Sequence, residues 1–447
     1  MEQLLELHST INGLVWGLPM MVLLIGAGFV LTFVTRGVQF RRLPFAFREV
    51  LGKLFTKGTG EGTVTPFQAL STALASTVGV GNIAGVSTAI FLGGPGSLVW
   101  LLVSGVVGMA TKYSEIAIAL HYREEDDKGI VRGGAMYVLS KGLKMRWLGT
   151  VFAFLTAAAA FGIGNMVQAN SVADAAKSGF GIEPWMSGLI LCAVTALVVL
   201  GGIKRIAEVT QYLVPVMCAI YLLGALVILF RYIDQVPAVI ELVLSSAFQG
   251  QAAMGGFAGA TVGSAMRYGI ARGMFSNEAG LGSAPMVHSS AVTDHPARQA
   301  VYGIFEVFVD TIVVCLLTGF VVLATGAWQS GANGATMAAQ AFEIGLPGGS
   351  GGLIVSVGLI LFAFSSVIGW AYYGETGATY LFGTGASMPY RLVWIGFVYL
   401  GATGSLQLIW SLADTLNGLM AIPNLIGVLG SLAIIGKLTK EFFSKNR

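Results

Sequence analysis

The chain has 447 residues, of which 55% are hydrophobic and 11% are charged, and its mean hydropathy is +0.78. Soluble domains carry about 25% charged residues, so this composition excludes an ordinary soluble protein. The net charge of +3 favours no particular partner, and the three cysteines show neither a disulfide framework nor metal-ligand spacing.

The chain contains eleven apolar segments, and their lengths are near the roughly 20 residues of a transmembrane helix. They predict an all-α integral membrane protein rather than a β-barrel. They lie at 14–35, 66–92, 97–120, 148–171, 185–203, 209–230, 264–290, 300–326, 353–374, 391–409 and 412–436. Residues 39–57 alternate basic and bulky apolar side chains, which predicts an amphipathic helix on a membrane surface. Residues 236–263 are too interrupted for a span and are interpreted as a lid or a re-entrant segment.

The second segment is interrupted at its centre by Gly79, Val80, Gly81 and Asn82. A glycine inside a helix costs about 1 kcal/mol relative to alanine, so we expect the helix to stop here and restart. Such a break exposes carbonyl groups that favour a cation and N–H groups that favour a carboxylate. It therefore predicts a site for an anionic or zwitterionic solute together with a cation. The alternative is that the small residues only let neighbouring helices pack closely.

The seventh segment carries a second polar, glycine-rich interruption, MFSNEAGLGSAP at 274–285. Paired interruptions in two halves of a chain are typical of transporter sites. Without the first segment, the rest divides into two groups of five, each opening with an interrupted segment. Because five is odd, the second group crosses the membrane in the opposite sense, which predicts an inverted repeat.

We therefore expect one transmembrane domain, 1–447. Its predicted parts are an extra N-terminal helix with the amphipathic segment at 1–60, repeats at 66–231 and 250–436, and a tail at 437–447. Lys and Arg are concentrated in alternate connections and in the tail, whereas the opposite connections carry only Lys177 and Arg231. The protein is therefore predicted to lie in the cell membrane (plasma or inner). By the positive-inside rule, its N-terminus is predicted to lie outside and its C-terminus in the cytoplasm.

Several long runs resemble one transporter family. They are GGPGSLVW at 93–100, FSNEAGLGSAP at 275–285, HPARQ at 295–299 and EVFVDT at 306–311. In these runs the chain is similar to the alanine/glycine:cation symporter family, although Val99, Leu101, Leu102 and Ala135 depart from its usual signature. The resemblance implies a LeuT-type fold, with a 5+5 inverted repeat, two broken helices and one extra N-terminal helix. It also implies sodium-coupled uptake of small neutral amino acids, alanine or glycine, without an organic cofactor or a nucleic-acid partner.

The resemblance also implies which residues form the site. The N–H groups of the first break, Gly79, Val80, Gly81 and Asn82, would take the substrate carboxylate. The remaining substrate contacts would be Gln168, Phe275, Ser276, Asn277, Ser366 and Trp370. The sodium ligands would be Ala75, Val78, Phe362, Ser365 and Ser366. Oxygen ligands of this kind suit a hard cation.

These assignments have structural alternatives. Mid-helix serines such as Ser365 and Ser366 also bond the preceding turn. Trp370 also fits an interfacial belt, and Gln168 also fits a bond between helices. Phe275 is also compatible with plain packing.

Charged residues within the spans leave the coupling ion open. Glu278 either favours the N-terminus of the second half-helix or binds a proton, and Asp310 is a further proton candidate. Glu306, Asp310 and Asp414 either pair with arginines or contact a second cation, and Lys112 with Glu115 predicts a structural pair. A proton-coupled amino acid transporter is therefore the alternative function, with a channel less favoured. No catalytic arrangement surrounds the four histidines, so an enzyme is not predicted.

Overall fold

The structure is a computed structural model that describes residues 11–54, 56–249, 261–404 and 407–445. In the first half of the chain the helices are Leu18–Val34, Val38–Arg41, Leu43–Gly52, Pro66–Thr77, Gly81–Gly85, Val86–Gly93, Ser97–His121, Ala135–Tyr137, Val138–Gly142, Arg146–Ala159, Ala160–Met166, Val167–Phe180, Pro184–Val199, Gly202–Arg231, Ile233–Gln235 and Val236–Gln249. In the second half they are Val262–Asn277, Ala284–His288, Pro296–Val307, Phe308–Cys315, Leu316–Ala324, Ala327–Gln329, Gly334–Gly345, Pro347–Gly349, Gly351–Phe382, Thr384–Ala386, Ser387–Thr403, Gln407–Leu429 and Leu432–Lys445. Two short antiparallel strands, Glu124–Glu125 and Val131–Arg132, form a hairpin.

Seven helices in the described ranges are long and apolar enough to cross a membrane, and one bent pair makes an eighth. The seven are Ile11–Val34, Ser97–His121, Arg146–Phe180, Gly202–Arg231, Pro296–Ala324, Gly351–Phe382 and Leu412–Leu429. The other predicted segments coincide with shorter helices, at Pro184–Val199, at Val262–Asn277 with Ala284–His288, and at Ser387–Thr403. The all-α membrane class is thus confirmed, whereas a count of eleven spans stays a prediction.

The end predicted for the last segment, 412–436, was wrong. The helix that contains it stops at Leu429, and a separate helix, Leu432–Lys445, follows the turn at 430–431. This final helix is amphipathic, and its Phe442 ring stacks on His295 with 5.2 Å between ring centroids. The guanidinium carbon of Arg42 lies 4.2 Å from the centroid of the Phe443 ring. The final helix therefore packs against the connections between spans and does not continue the eleventh segment.

The amphipathic stretch predicted at 39–57 forms the helices Val38–Arg41 and Leu43–Gly52. Glu49 on the second of these pairs with Arg298 at 3.2 Å. The lid predicted at 236–263 begins with the helix Val236–Gln249, and most of its remainder lies outside the described residues.

The first broken helix consists of Pro66–Thr77 and Gly81–Gly93, which are bent by 51° at the predicted interruption. Thr65 caps its start by accepting a hydrogen bond from the N–H of Gln68, with Pro66 in the first turn. After Thr77 the backbone of Val78 is extended, at φ −76° and ψ 91°. The second half opens in π-helical form at Gly81–Gly85, a geometry that is frequent at functional sites.

The second broken helix consists of Val262–Asn277 and Ala284–His288. Between the halves, Gly280 has φ +95° and Gly282 has φ +76°, values that glycine adopts without a steric penalty. Glu278 has φ +55° and ends the first half in the left-handed region. The break predicted within 274–285 is therefore present at 278–283.

The helices pack in two groups that meet at the breaks. Both broken helices contact Ser97–His121 or Pro296–Ala324, and these four elements form one group. Gly273 allows a close approach within it, because a Cβ there would lie 1.9 Å from Ser104 Oγ. The helix Gly351–Phe382 packs against Arg146–Phe180 and Gly202–Arg231 and also touches the first broken helix. The candidate binding site lies where these two groups meet.

Candidate binding site at the two helix breaks

A cavity of about 490 Å³ lies beside the first break. Its lining residues come from both broken helices and from the helices Ile11–Val34, Arg146–Phe180, Gly334–Gly345 and Gln407–Leu429. They are Asn12, Val80, Gly81, Ala84, Gly85, Thr88, Ile163, Val167, Gln168, Arg272, Phe275, Gly334 and Asp414. Four residues predicted as substrate contacts, Val80, Gly81, Gln168 and Phe275, therefore share one cavity.

Gly79 is the point at which three elements come together. A Cβ at this position would lie 2.7 Å from Ser366 Oγ and 3.7 Å from Gln168 Oε1. A Cβ would thus crowd the Ser366 hydroxyl, whereas it would make only an ordinary contact with Gln168. The Gly79 N–H donates to Asn82 Oδ1 at 2.9 Å, and the Asn82 N–H donates to the Gly79 carbonyl at 3.2 Å. Gly79 and Asn82 are thus hydrogen-bonded to each other across the break. Val80 and Gly81, which lie between them, line the cavity.

Gln168 presents an unused acceptor. Its Nε2 donates to the Ile163 carbonyl at 3.1 Å, whereas its Oε1 is buried and has no hydrogen-bond partner among the described residues. A buried acceptor without a donor costs about 1–3 kcal/mol. Because Gln168 lines the cavity, this oxygen is placed to accept a hydrogen bond from a bound molecule.

The predicted hydroxyl pair lies against the carbonyl end of the first half-helix. Ser365 Oγ donates to the Ala75 carbonyl at 3.0 Å, and Ser366 Oγ contacts the Ser76 carbonyl at 3.4 Å. Both hydroxyls also bond the Phe362 carbonyl, at 2.8 and 3.1 Å. The alternative reading, a bond to the preceding turn, is therefore present together with the contact across the break.

The residues at this junction fit a sodium ion. Carbonyls of Ala75, Ser76 and Phe362 and hydroxyls of Ser365 and Ser366 supply hard oxygen atoms within one buried cluster. The C-terminal end of Pro66–Thr77 adds the partial negative charge of a helix C-terminus. Ser76 is the addition to the predicted set, and Val78 follows in extended conformation, fully buried.

Ser276, Asn277 and Trp370 do not line the cavity. Ser276 Oγ bonds the Asp310 carboxylate, and Asn277 Nδ2 donates to Thr311 Oγ1 at 3.1 Å. Trp370 is 1% exposed, and its indole N–H donates to Glu278 Oε1 at 3.1 Å. Their assignment as substrate contacts stays a prediction.

The predicted pair of Lys112 with Glu115 is wrong. Lys112 Nζ lies 3.1 Å from Glu306 Oε1. The other carboxylate oxygen of Glu306 lies 3.0 Å from His288 Nε2. Glu115 instead accepts from the Gly280 N–H at 3.0 Å and from Asn424 Nδ2. The two side chains leave the same helix toward different neighbours, so spacing along one helix did not reveal their partners.

Further bonds join the helix Gly351–Phe382 to connections that do not line the cavity. Tyr372 and Ser290 share a hydrogen bond of 2.7 Å between their hydroxyls. Arg132 joins Asp126 at 2.6 Å to Glu375 at 3.3 Å. Burial raises the pKa of the Asp126 carboxyl, but the hydrogen bond from Arg132 and the backbone N–H donors outweigh it, so the net pKa lies below the usual value.

Nine of the thirteen lining residues were not predicted as substrate contacts, among them Asn12, Arg272, Gly334 and Asp414. Asn12 Nδ2 donates to Asp414 Oδ2 at 3.1 Å, so the extra N-terminal helix reaches the cavity rim. Arg272 and Gly334 complete this end. Arg272 carried a signal, since a charge within an apolar segment is a functional candidate by default. Asn12 lies in the helix Ile11–Val34 and Gly334 begins the helix Gly334–Gly345, so only the packing of the folded chain brings them to the cavity.

Two interrupted helices that meet at an interior cavity, with hard oxygen ligands at one break, define a secondary transporter of the membrane. A family model with the description "Sodium:alanine symporter family" matches residues 1–447 of the chain. The chain belongs to this family, whose members are transporters and not enzymes. The predicted family is thereby confirmed.

The sodium/alanine symporter AgcS of Methanococcus maripaludis is 48% identical over 445 residues, which cover 98% of this chain and 97% of that protein. The probable sodium/glutamine symporter GlnT of Bacillus subtilis is 34% identical, covering 99% of this chain and 91% of that protein. The putative sodium/proton-dependent alanine carrier protein YrbD of the same organism is 34% identical, with 94% and 89% covered.

Among solved structures, MhsT in complex with L-phenylalanine matches with a TM-score of 0.57 at 14% identity. The match covers 86% of this chain and 99% of MhsT. At this identity the likeness concerns the fold alone, and it confirms the predicted LeuT-type architecture.

Proposed function

We propose that the protein is a sodium-coupled symporter that takes up small neutral amino acids, alanine and also glycine, through a cell membrane. The observation that carries the proposal is the hydroxyl pair of Ser365 and Ser366 on the carbonyl end of the first half-helix, beside Gly79. Sodium and substrate would thus share one break, with the ion before it and the amino acid after it.

The substrate would lie in the cavity with its carboxylate on the N–H groups of Val80 and Gly81, at the positive end of Gly81–Gly93. Its ammonium group would donate to the unused Gln168 Oε1. Phe275 covers Gly81, since a Cβ on Gly81 would lie 3.5 Å from the phenyl ring. Ser276, Asn277 and Trp370 would support this wall from behind.

Sodium would hold the first half-helix against the helix Gly351–Phe382 and so complete the substrate cavity. The coupling is reciprocal, because each ligand stabilises the arrangement that the other needs. The division into inverted repeats at 66–231 and 250–436 would let the two helix groups rock about this junction in alternating access.

The orientation follows from the charge bias of the connections. With the Lys- and Arg-rich connections inside, the cavity end at Asn12 and Gly334 faces outward, and the bonds at Tyr372 and Arg132 close the cytoplasmic side. The described conformation is thus assigned as outward-facing.

Proton coupling is the second candidate, and a specific contact favours it. The Glu278 carboxylate is 5% exposed and bridges Ser283 Oγ at 2.5 Å and the Trp370 indole. A proton on this carboxyl would change a contact between the two helix groups. One relative is itself named for both ions.

The deciding experiment is uptake of labelled alanine into proteoliposomes under a sodium gradient and, separately, under a proton gradient. We expect accumulation above equilibrium with sodium alone. Accumulation with protons alone would replace the sodium assignment by Glu278 or Asp310, and passive equilibration under both gradients would indicate a channel or facilitator.

A further inference from the structure

We propose that a basic pocket at one end of the bundle binds the headgroup of an anionic phospholipid. This lipid would hold the final helix, Leu432–Lys445, against the first membrane-spanning helix, Ile11–Val34. The basic pocket is separate from the cavity at the helix breaks, with which it shares no lining residue. Lipid binding here requires neither sodium coupling nor a particular amino acid substrate.

The basic pocket has a volume of about 230 Å³ and lies where three elements meet. These elements are the end of Ile11–Val34, the short helix Val38–Arg41 and the final helix. Among the described residues that line the pocket there is no carboxylate, whereas four are cationic, namely Arg36, Arg41, Arg42 and Lys440. A concave site lined by charges of one sign focuses a strong potential, which here attracts an anion.

The four cations of the basic pocket are not neutralised by the protein. The ion pairs between described residues include none of them. Glu441, the carboxylate next to Lys440 in the chain, lies 3.8 Å from Lys437 instead. Four like charges around one cavity repel one another and so oppose the packing of the final helix on the first span. A bound anion would remove this repulsion.

The donors of the basic pocket fit a phosphate group. Arginine presents its N–H groups in a planar fork that matches phosphate oxygens, and lysine adds a point charge. Arg36, Arg41 and Lys440 are exposed, so a group from outside the protein can reach them. A zwitterionic headgroup would bring its own ammonium group into the same positive potential. An anionic headgroup is therefore favoured over a zwitterionic one.

Exposed apolar side chains beside the basic pocket indicate that the phosphate belongs to a lipid. Phe33 and Phe40, which flank Arg36 in the chain, are 80% and 63% exposed. Phe29 and Val30 are also exposed, and they lie one turn before Phe33 on the same helix face. In a membrane this surface contacts acyl chains. Clusters of Lys and Arg directly after a membrane span are typical of sites for anionic lipids.

A lipid in the basic pocket would also stabilise the helix that follows the second break. The ring of Phe442 on the final helix stacks on His295, with 5.2 Å between ring centroids. His295 Nδ1 accepts a hydrogen bond from the Ala297 N–H at 3.1 Å and so caps the helix Pro296–Val307. Because the lipid would hold the final helix in place, it would support this cap. We therefore expect the bound lipid to raise the temperature of thermal unfolding.

The test is native mass spectrometry of the purified, delipidated full-length protein, titrated with phosphatidylglycerol or with phosphatidylcholine. We expect phosphatidylglycerol to bind at least about 10-fold more tightly and to raise the unfolding temperature more than phosphatidylcholine does. The double variant Arg36→Asn with Lys440→Gln should lose about 30-fold in phosphatidylglycerol affinity, because it removes two of the four cations. Asparagine tolerates the left-handed backbone at position 36, where φ is +57°.

The matched control is the double variant Lys144→Asn with Lys437→Gln. Lys144 also has a left-handed backbone, at φ +58°, and Lys437 also lies on the final helix, but neither lines the basic pocket. The control therefore removes the same charge and should bind phosphatidylglycerol as the unmodified protein does. Arg41→Gln alone should weaken this binding about 5-fold, which keeps the site testable where the first double variant does not fold.

Three results would overturn the lipid site. The first is equal affinity of the unmodified protein for phosphatidylglycerol and phosphatidylcholine. The second is an equal loss of phosphatidylglycerol affinity in the pocket variant and in its control, which would mean that the whole basic surface attracts lipid. The third is thermal stabilisation by inorganic phosphate equal to that by phosphatidylglycerol, which would identify a site for a free anion instead.

Discussion

The indole N–H of Trp370 donates to Glu278 Oε1 at 3.1 Å and so ties the helix Gly351–Phe382 to the second break. Both side chains are buried, at 1% and 5% exposure. This relationship gives Trp370 a role in holding the helix groups together on the closed side of the site. Position along the helix alone, one turn beyond Ser366, places Trp370 on the substrate face and does not reveal this bond.

Trp370→Phe is expected to destabilise the fold without changing the cavity. The variant removes one donor to a buried carboxylate, which costs about 1–3 kcal/mol. Thermal unfolding should show the loss, while the KM for alanine stays within about threefold, since a change of that size is below 1.4 kcal/mol. Trp394→Phe is the control, because its buried indole N–H has no partner among the described residues. A large rise in KM with unchanged stability would place Trp370 against the substrate instead.

Ser365→Ala with Ser366→Ala is expected to weaken sodium binding at least about 10-fold, because both hydroxyls at the carbonyl end of the first half-helix are lost. The sodium dependence of alanine uptake measures this shift, and saturating sodium should restore uptake. Ser356→Ala, on the same helix but away from the break, should behave as the unmodified protein. Equal sodium dependence in the double variant and in the control would exclude the pair as ligands.

Gly79→Ala and Gly358→Ala form a matched pair. The Cβ at position 79 would lie 2.7 Å from Ser366 Oγ, whereas that at 358, outside the cavity lining, would make an ordinary contact of 3.5 Å with Tyr221. We expect overpacking of about 1–3 kcal/mol and loss of sodium-driven uptake only at position 79. Transport assays at matched expression would check this, and equal activity of the two variants would contradict the described junction.

Gln168→Met is expected to reduce alanine affinity by about 1–3 kcal/mol, roughly 5- to 150-fold, because it removes the acceptor proposed for the ammonium group. Binding of labelled alanine at saturating sodium gives this value, and sodium binding without alanine should be unaffected. Gln235→Met, at an exposed position, is the control. Unaltered alanine affinity would mean that Gln168 only joins helices.

The two breaks were predictable because their signals are local. Gly79 and Gly81 disfavour a helix interior, and the glycines of 278–283 adopt backbone angles that other residues avoid. The hydroxyl pair of Ser365 and Ser366 came from family resemblance, and the structure places it 290 residues along the chain from the carbonyls that it meets.

The hydrogen bonds of the Asp310 carboxylate were not predictable from local patterns. Asp310 lies 228 residues from Asn82 and 34 from Ser276, both of which donate to it, so only the packed chain brings them together. The rim formed by Asn12 and Asp414 has the same origin, at a separation of 402 residues. Sequence reasoning marked Asp310 and Asp414 as charges that need partners, but it did not identify those partners.

Sodium and the amino acid are proposed to occupy one junction and therefore to move together. The test uses proteoliposomes that contain the protein, with equal sodium and equal pH on both sides. An inward alanine gradient is imposed, and the movement of ²²Na⁺ across the membrane is measured. We expect transient accumulation of ²²Na⁺ above equilibrium, which the Ser365→Ala with Ser366→Ala variant reduces. Alanine entry without any movement of sodium against its gradient would mean that the two do not move together.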